Sequence, residues 1–148
     1  MATDETSPLL PNVESEEPAR NQNTMSGTLF WKTGAVFGAA AVGLGAFGAH
    51  GLKKRISDPN KLANWSTAAQ YQLIHSVALL VASNNPVAGT LFTAGMTMFS
   101  GSLYALTLDT ERFHFLGPVT PLGGLCLMAG WLALAFGKRG AGLRWPRT

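Results

Sequence analysis

Two histidines, a glutamine and a tyrosine are the residues of this chain best equipped for chemistry. Tyr71, Gln72 and His75 stand at i, i+1 and i+4, so on a helix Tyr71 and His75 lie over one another with Gln72 beside them. His50 ends an apolar tract upstream. If the two tracts are antiparallel neighbours, His50 lies near the start of the segment that carries His75. Imidazole can hydrogen-bond, move a proton or bind a metal. Three uses are therefore open. The cluster can be an interhelical hydrogen-bond network that fixes register, which is the leading reading. His50 and His75 can ligate a haem or a metal ion, although two histidines make a thin donor set. Or the cluster can line a proton or solute path.

No other residues form a reactive set. There is no nucleophile with a neighbouring base and no pair of carboxylates, so no enzyme activity is expected. Asp109 and Glu111 fall in a short polar link, where solvation explains them. Cys126 is the single cysteine, so one chain can build neither a disulfide nor a thiolate metal site. Gly43 to Gly48 spells G-x-G-x-x-G, but a nucleotide fingerprint needs a strand before it and an acid beyond. Here the motif lies inside an apolar run.

The segments that must position these residues are apolar. No Asp, Glu, Lys or Arg occurs from Thr33 to Leu52, from Leu62 to Leu108, or from Phe113 to Gly137. Charged residues make up only 13% of the chain, against 47% hydrophobic; soluble domains carry about 25% charge. A spanning helix needs about 20 apolar residues. The middle tract is too long for one span, and Ser83-Asn84-Asn85-Pro86 divides it. The expected fold is all-α: a compact bundle of four transmembrane helices with a disordered N-terminal tail. The spans are placed at about 30–50, 68–82, 87–106 and 116–136, within a membrane domain of residues 28–137. Asp58-Pro59 predicts a cap and first turn, from which a helix runs along the interface past Trp65 into the second span. Trp31 with Lys32, and Trp131, suit interface anchors.

Residues 1–27 are rich in Pro, Glu, Ser, Asn and Thr and are expected to be a disordered cytosolic tail. They resemble neither a secretory signal nor a transit peptide. Glu5, Leu9 and Leu10 match an acidic dileucine sorting signal, which vesicle-coat adaptors read on cytosolic tails. That pattern suggests an endosomal, lysosomal or vacuolar membrane. Residues 138–148 form a basic tail suited to an anionic lipid surface. An even number of spans puts both termini on one side. Lys and Arg are nearly balanced across the membrane, and the sorting signal tips the expectation toward cytosolic termini. Nucleic-acid binding is not expected, because no basic patch remains in a soluble domain. The expected partners are the lipid bilayer, a membrane-protein partner or a second copy of the chain, and an adaptor at the tail.

Glycine is spaced for helix packing. Gly34 and Gly38 are four apart, as are Ala41, Gly45 and Ala49. Small residues at this spacing let helix backbones approach in lipid. The first span is therefore expected to be the central packing helix. Gly95 and Gly101, and Gly123, Gly124 and Gly130, suggest close contacts in the third and fourth spans.

Four blocks together resemble a known family. They are Gly45-Ala46-Phe47-Gly48-Ala49-His50-Gly51-Leu52; Trp65-Ser66-Thr67-Ala68 with Tyr71, Gln72 and His75; Phe99-Ser100-Gly101-Ser102-Leu103-Tyr104; and Leu116-Gly117-Pro118-Val119-Thr120-Pro121-Leu122-Gly123-Gly124 with Ala129-Gly130-Trp131. The pattern is similar to the transmembrane protein 256 family, also called domain of unknown function 423, over about Leu29 to Gly137. The resemblance implies a small integral membrane protein of about four helices and supplies no reaction or ligand. The expected role is a non-enzymatic accessory or assembly protein packing through Gly-rich helices. The alternative is a small oligomeric transporter or channel with the polar cluster in its path.

Overall fold

The computed structural model describes residues 17–137, with side chains from Ser26 onward. Every element in that range is helical. α1 (Glu17–His50) is followed by a 3-10 turn (Leu52–Lys54), α2 (Pro59–Val81), a second 3-10 turn (Ala82–Asn84), α3 (Pro86–Leu108), the short α4 (Thr110–Phe113), a third 3-10 turn (His114–Leu116) and α5 (Val119–Phe136). Glu5, Leu9, Leu10 and the basic tail at 138–148 lie outside the described residues.

α1 departs from the expected boundary. It starts at Glu17, so residues 17–27, placed in the tail by composition, are helical. Pro18 suits a first turn, where its missing N–H costs nothing, and no Gly or Pro follows until Gly27. At 34 residues the helix is about 50 Å long, well beyond the roughly 30 Å of hydrocarbon. It ends where the Gly51 N–H bonds the Phe47 carbonyl at 2.7 Å.

Polar caps start the next helices. The Asp58 carboxylate accepts the Asn60 N–H at 2.9 Å, and Pro59 opens α2. Asn85 accepts the Ala88 N–H at 3.1 Å, and Pro86 opens α3. Asn85 also donates from Nδ2 to the Ala133 carbonyl at 3.2 Å, tying the α2–α3 turn to the end of α5. Such a cap contributes about 1 kcal/mol.

By length and composition, three stretches can cross a membrane: Ser26–Lys54, Pro86–Leu108 and Val119–Phe136. α2 is absent from that set, against the expectation of four. Its 23 residues suffice in length, but Asn60, Lys61, Asn64, Gln70, Gln72 and His75 lower its hydropathy.

α2 and α3 occupy the middle, with α1 packed mainly on α2 and α5 mainly on α3. This corrects the expectation that the first span is central. The core joins Ala78, Leu79 and Ala82 of the α2 end to Ala88, Phe92 and Met96 of α3 and Leu127 of α5. Gln72, His75, Ser76, Ser100 and Ser102 are buried, while Val36, Ile74, Val77, Leu125 and Leu132 are exposed. Polar groups inside and large apolar ones outside suit hydrocarbon, where unpaired polar atoms are costly.

The glycines decide how closely the helices approach. A Cβ on Gly34 would stand 2.9 Å from Leu80 and 3.0 Å from the Ser76 carbonyl, and one on Gly38 3.1 Å from the Ser76 hydroxyl. Gly45 and Gly124 have only ordinary contacts, at 3.9 Å to Ala69 and 3.7 Å to Phe99. Gly101 is the correction: it is exposed and a Cβ there meets nothing within 4 Å. The tightest crossings include Gly123 against the Phe99 backbone, Gly95 against Leu127 and Gly48 against the Trp65 ring.

Candidate intramembrane polar site

α2 turns Ala68, Gln72, His75, Ser76 and Leu79 inward, which is the i, i+3, i+4 stripe of one helical face. Each polar member reaches a carbonyl or an aromatic donor. Gln72 Nε2 donates to the Phe37 carbonyl of α1 at 2.9 Å. Ser100 Oγ of α3 donates to the Ala68 carbonyl at 2.9 Å. Ser76 Oγ donates to the Leu73 carbonyl within α2 at 2.7 Å.

His75 is held from three sides. The Trp131 indole N–H of α5 donates to His75 Nε2 at 3.1 Å. An indole nitrogen only donates, so Nε2 carries the lone pair. Nδ1 must then hold the proton, and it lies 2.7 Å from the Tyr71 carbonyl. The imidazole is neutral, its tautomer set by two partners. The Tyr71 ring stacks on it at 5.7 Å, and Phe92 and Trp131 meet it at 5.9 and 6.0 Å. Gly130 admits Phe92 to this arrangement, since a Cβ there would stand 2.7 Å from its ring.

His50 does not join the cluster. It is exposed at the end of α1. α1 and α2 are antiparallel, and Gly38 faces Ser76, so His50 lies twelve residues, roughly 18 Å, further along the axis. The sequence argument placed His50 near the start of the second span, at about Ala68. His75 is several turns deeper, which separates the two rings. A His50/His75 ligand pair is therefore not assembled within one chain. Among the described residues no group of three or more His, Cys, Asp or Glu could hold a metal ion.

A second polar layer lies toward the α1–α2 turn. Trp65 is buried and donates to the Leu44 carbonyl at 2.8 Å. Tyr104 packs 4.6 Å from it, and its buried hydroxyl has no hydrogen-bond partner among the described residues. Ser102 and Thr120 share a hydrogen bond of 2.6 Å between α3 and α5.

Sequence reasoning found Gln72, Tyr71 and His75 but gave Trp131 only an anchoring role and left Ser100 unassigned. The available signal was chemical: an indole N–H in hydrocarbon needs an acceptor. Tyr71, Ile74, His75, Leu127, Met128 and Trp131 also line a cleft of about 370 Å³ between α2 and α5. Both ring nitrogens of His75 are engaged by protein, one by the Tyr71 carbonyl and one by the Trp131 indole.

The family described as "Protein of unknown function (DUF423)" matches residues 44–124, which include Gln72, His75 and Ser100 but not Trp131. A UPF0382 membrane protein of Schizosaccharomyces pombe is 42% identical over 113 residues, 70% of this chain and 96% of that protein. One from Staphylococcus aureus (strain bovine RF122) is 44% identical over 114 residues, 72% and 91% of the two chains. One from Bacillus subtilis is 40% identical over 111 residues, 68% and 88%. No solved structure matches. With most of each relative covered at this identity, and with helices apolar enough to cross a bilayer, the chain belongs to the DUF423 family of UPF0382 membrane proteins.

Proposed function

We propose that this chain is a non-enzymatic accessory or assembly protein that crosses the membrane four times and presents its outer helix faces to a partner. The observation that carries this reading is the state of His75. Its two nitrogens are occupied by Trp131 and the Tyr71 carbonyl, so the most chemically capable side chain of the interior serves to join α2 to α5. Gln72 and Ser100 act in the same way toward α1 and α3.

The four-span topology is supported by the length of the α1–α2 contact. It extends from Gly27 against Asn84 to Gly48 against Trp65, about 31 Å along α1, close to the hydrocarbon thickness. A helix lying beside α1 over that distance crosses with it. Both termini then share one side, taken as the cytosol, and Glu5, Leu9 and Leu10 meet an adaptor there. A cysteine placed at Ser57 is expected to react with an impermeant thiol reagent from the side opposite a C-terminal tag. Labelling from the same side would end the four-span reading. Leu9→Ala with Leu10→Ala is expected to shift the protein from internal membranes to the cell surface; unchanged distribution removes the sorting proposal.

Native mass spectrometry of the C-terminally tagged protein in mild detergent tests the role itself. A stoichiometric partner is the expected result, and a pure homo-oligomer or monomer would overturn the accessory reading. The cleft beside His75 favours a second reading, a small oligomeric transporter. It requires that His75→Ala abolish flux while assembly persists.

A further inference from the structure

A second groove lies on the other side of α2. It has a volume of about 360 Å³ and runs between α1 and α2 beside the connecting turn. Ala41, Gly45 and Ala49 recur every fourth residue and strip one wall of side chains over about 12 Å of α1. The other wall carries Ser66, Gln70 and Leu73. Ser66 and Gln70 are exposed, and neither side chain has a partner among the described residues. Polar side chains facing a bilayer call for one.

The mouth of the groove is cationic. Lys53 lines it, and Lys54 and Arg55 follow on the same turn. All three are exposed, and none forms an ion pair among the described residues. Asp58 is the nearest acid in sequence, and its carboxylate is engaged by the Asn60 N–H. Unpaired positive charge stands at the mouth, exposed hydroxyl and amide groups face the small-residue wall below it, and Ala41, Val42 and Leu73 make the deeper end apolar, the order of groups along a phospholipid.

We propose that this groove is a binding site for an anionic phospholipid. Lys53, Lys54 and Arg55 meet the phosphate head group, Ser66 and Gln70 meet the glycerol-ester region beside Ala49 and Gly45, and an acyl chain continues past Ala41, Val42 and Leu73. The site rests on the four-span reading, which labelling at Ser57 tests separately.

The test is native mass spectrometry of the full chain released from nanodiscs made of equal parts phosphatidylglycerol and phosphatidylcholine. The expected result is retained phosphatidylglycerol in preference to phosphatidylcholine. Replacing Lys53, Lys54 and Arg55 together by Gln should abolish that preference. Ala46→Phe, which fills an exposed part of the groove and keeps every charge, should lose it as well, with an unchanged helical circular dichroism signal. Equal retention of the two lipids overturns the proposal. So does full retention by folded Ala46→Phe, which would reduce the effect to diffuse surface attraction.

Discussion

His75 carries the plainest residue-scale consequence. Trp131→Phe keeps the ring but removes the donor, leaving Nε2 without the indole N–H. Measured couplings of this kind in membrane proteins average about 0.6 kcal/mol and reach about 1.7 kcal/mol. A double-mutant cycle of Trp131→Phe with His75→Ala, read by unfolding in mixed micelles, is expected to return a coupling in that range. A coupling near zero would mean that the two side chains do not hold each other. The glycines make a sharper pair. Gly123→Leu must displace the Phe99 backbone, whereas Gly101→Leu projects into open space. Gly123→Leu is expected to abolish the folded monomer. Gly101→Leu should leave the unfolding transition within about 0.5 kcal/mol, as exposed substitutions do. If it releases a co-purifying protein without unfolding the chain, the partner sits on that face of α3.

At the scale of the element, α2 is the unusual helix. It is polar enough to miss the hydropathy expected of a span, yet it contacts both α1 and α3. Its inward polar stripe is paired, and its outward positions at Leu73, Ile74, Val77 and Val81 are apolar. Average hydropathy cannot separate the two faces, because it sums over a helix whose inside and outside differ. The turn after α2 shows how a short polar sequence places two helices. Asn85 caps α3 and also holds the Ala133 carbonyl of α5. Asn85→Ala is therefore expected to destabilise by about 1–2 kcal/mol, measured by thermal unfolding in detergent. Asn85→Asp should recover the cap but not the bond to Ala133, and an equal loss in both variants would contradict the two-part role.

For the whole molecule, the order α1, α2, α3, α5 across the bundle follows from where the close contacts fall. The outer helix α1 has its inner face on α2 through Gly34, Gly38 and Gly48, and leaves Val36, Val42 and much of its Ala-rich surface uncovered. That uncovered surface and the open groove beside it are where lipid or a partner would act. The molecule combines an interior in which Gln72, His75, Ser76 and Ser100 are hydrogen-bonded with an exterior of exposed apolar side chains.

Long charge-free tracts, the Pro-bearing breaks at Asp58-Pro59 and Asn85-Pro86, and the stripe containing Gln72 and His75 were legible in the sequence. Each is a local signal: solvent preference over a run, backbone geometry at one residue, or periodicity within one helix. The start of α1 at Glu17 was not legible, because tail-like composition concealed a run without helix breakers. Nor was the separation of His50 from His75, since antiparallel pairing alone leaves the depth of each ring undecided. Only the tertiary structure settled which glycines meet a neighbour, placing Gly123 against backbone and Gly101 in open space. It also brought Trp131 to His75 across fifty-six positions of chain. Spacing along a helix fixes which residues share a face, but what that face meets depends on the rotation and order of the other helices.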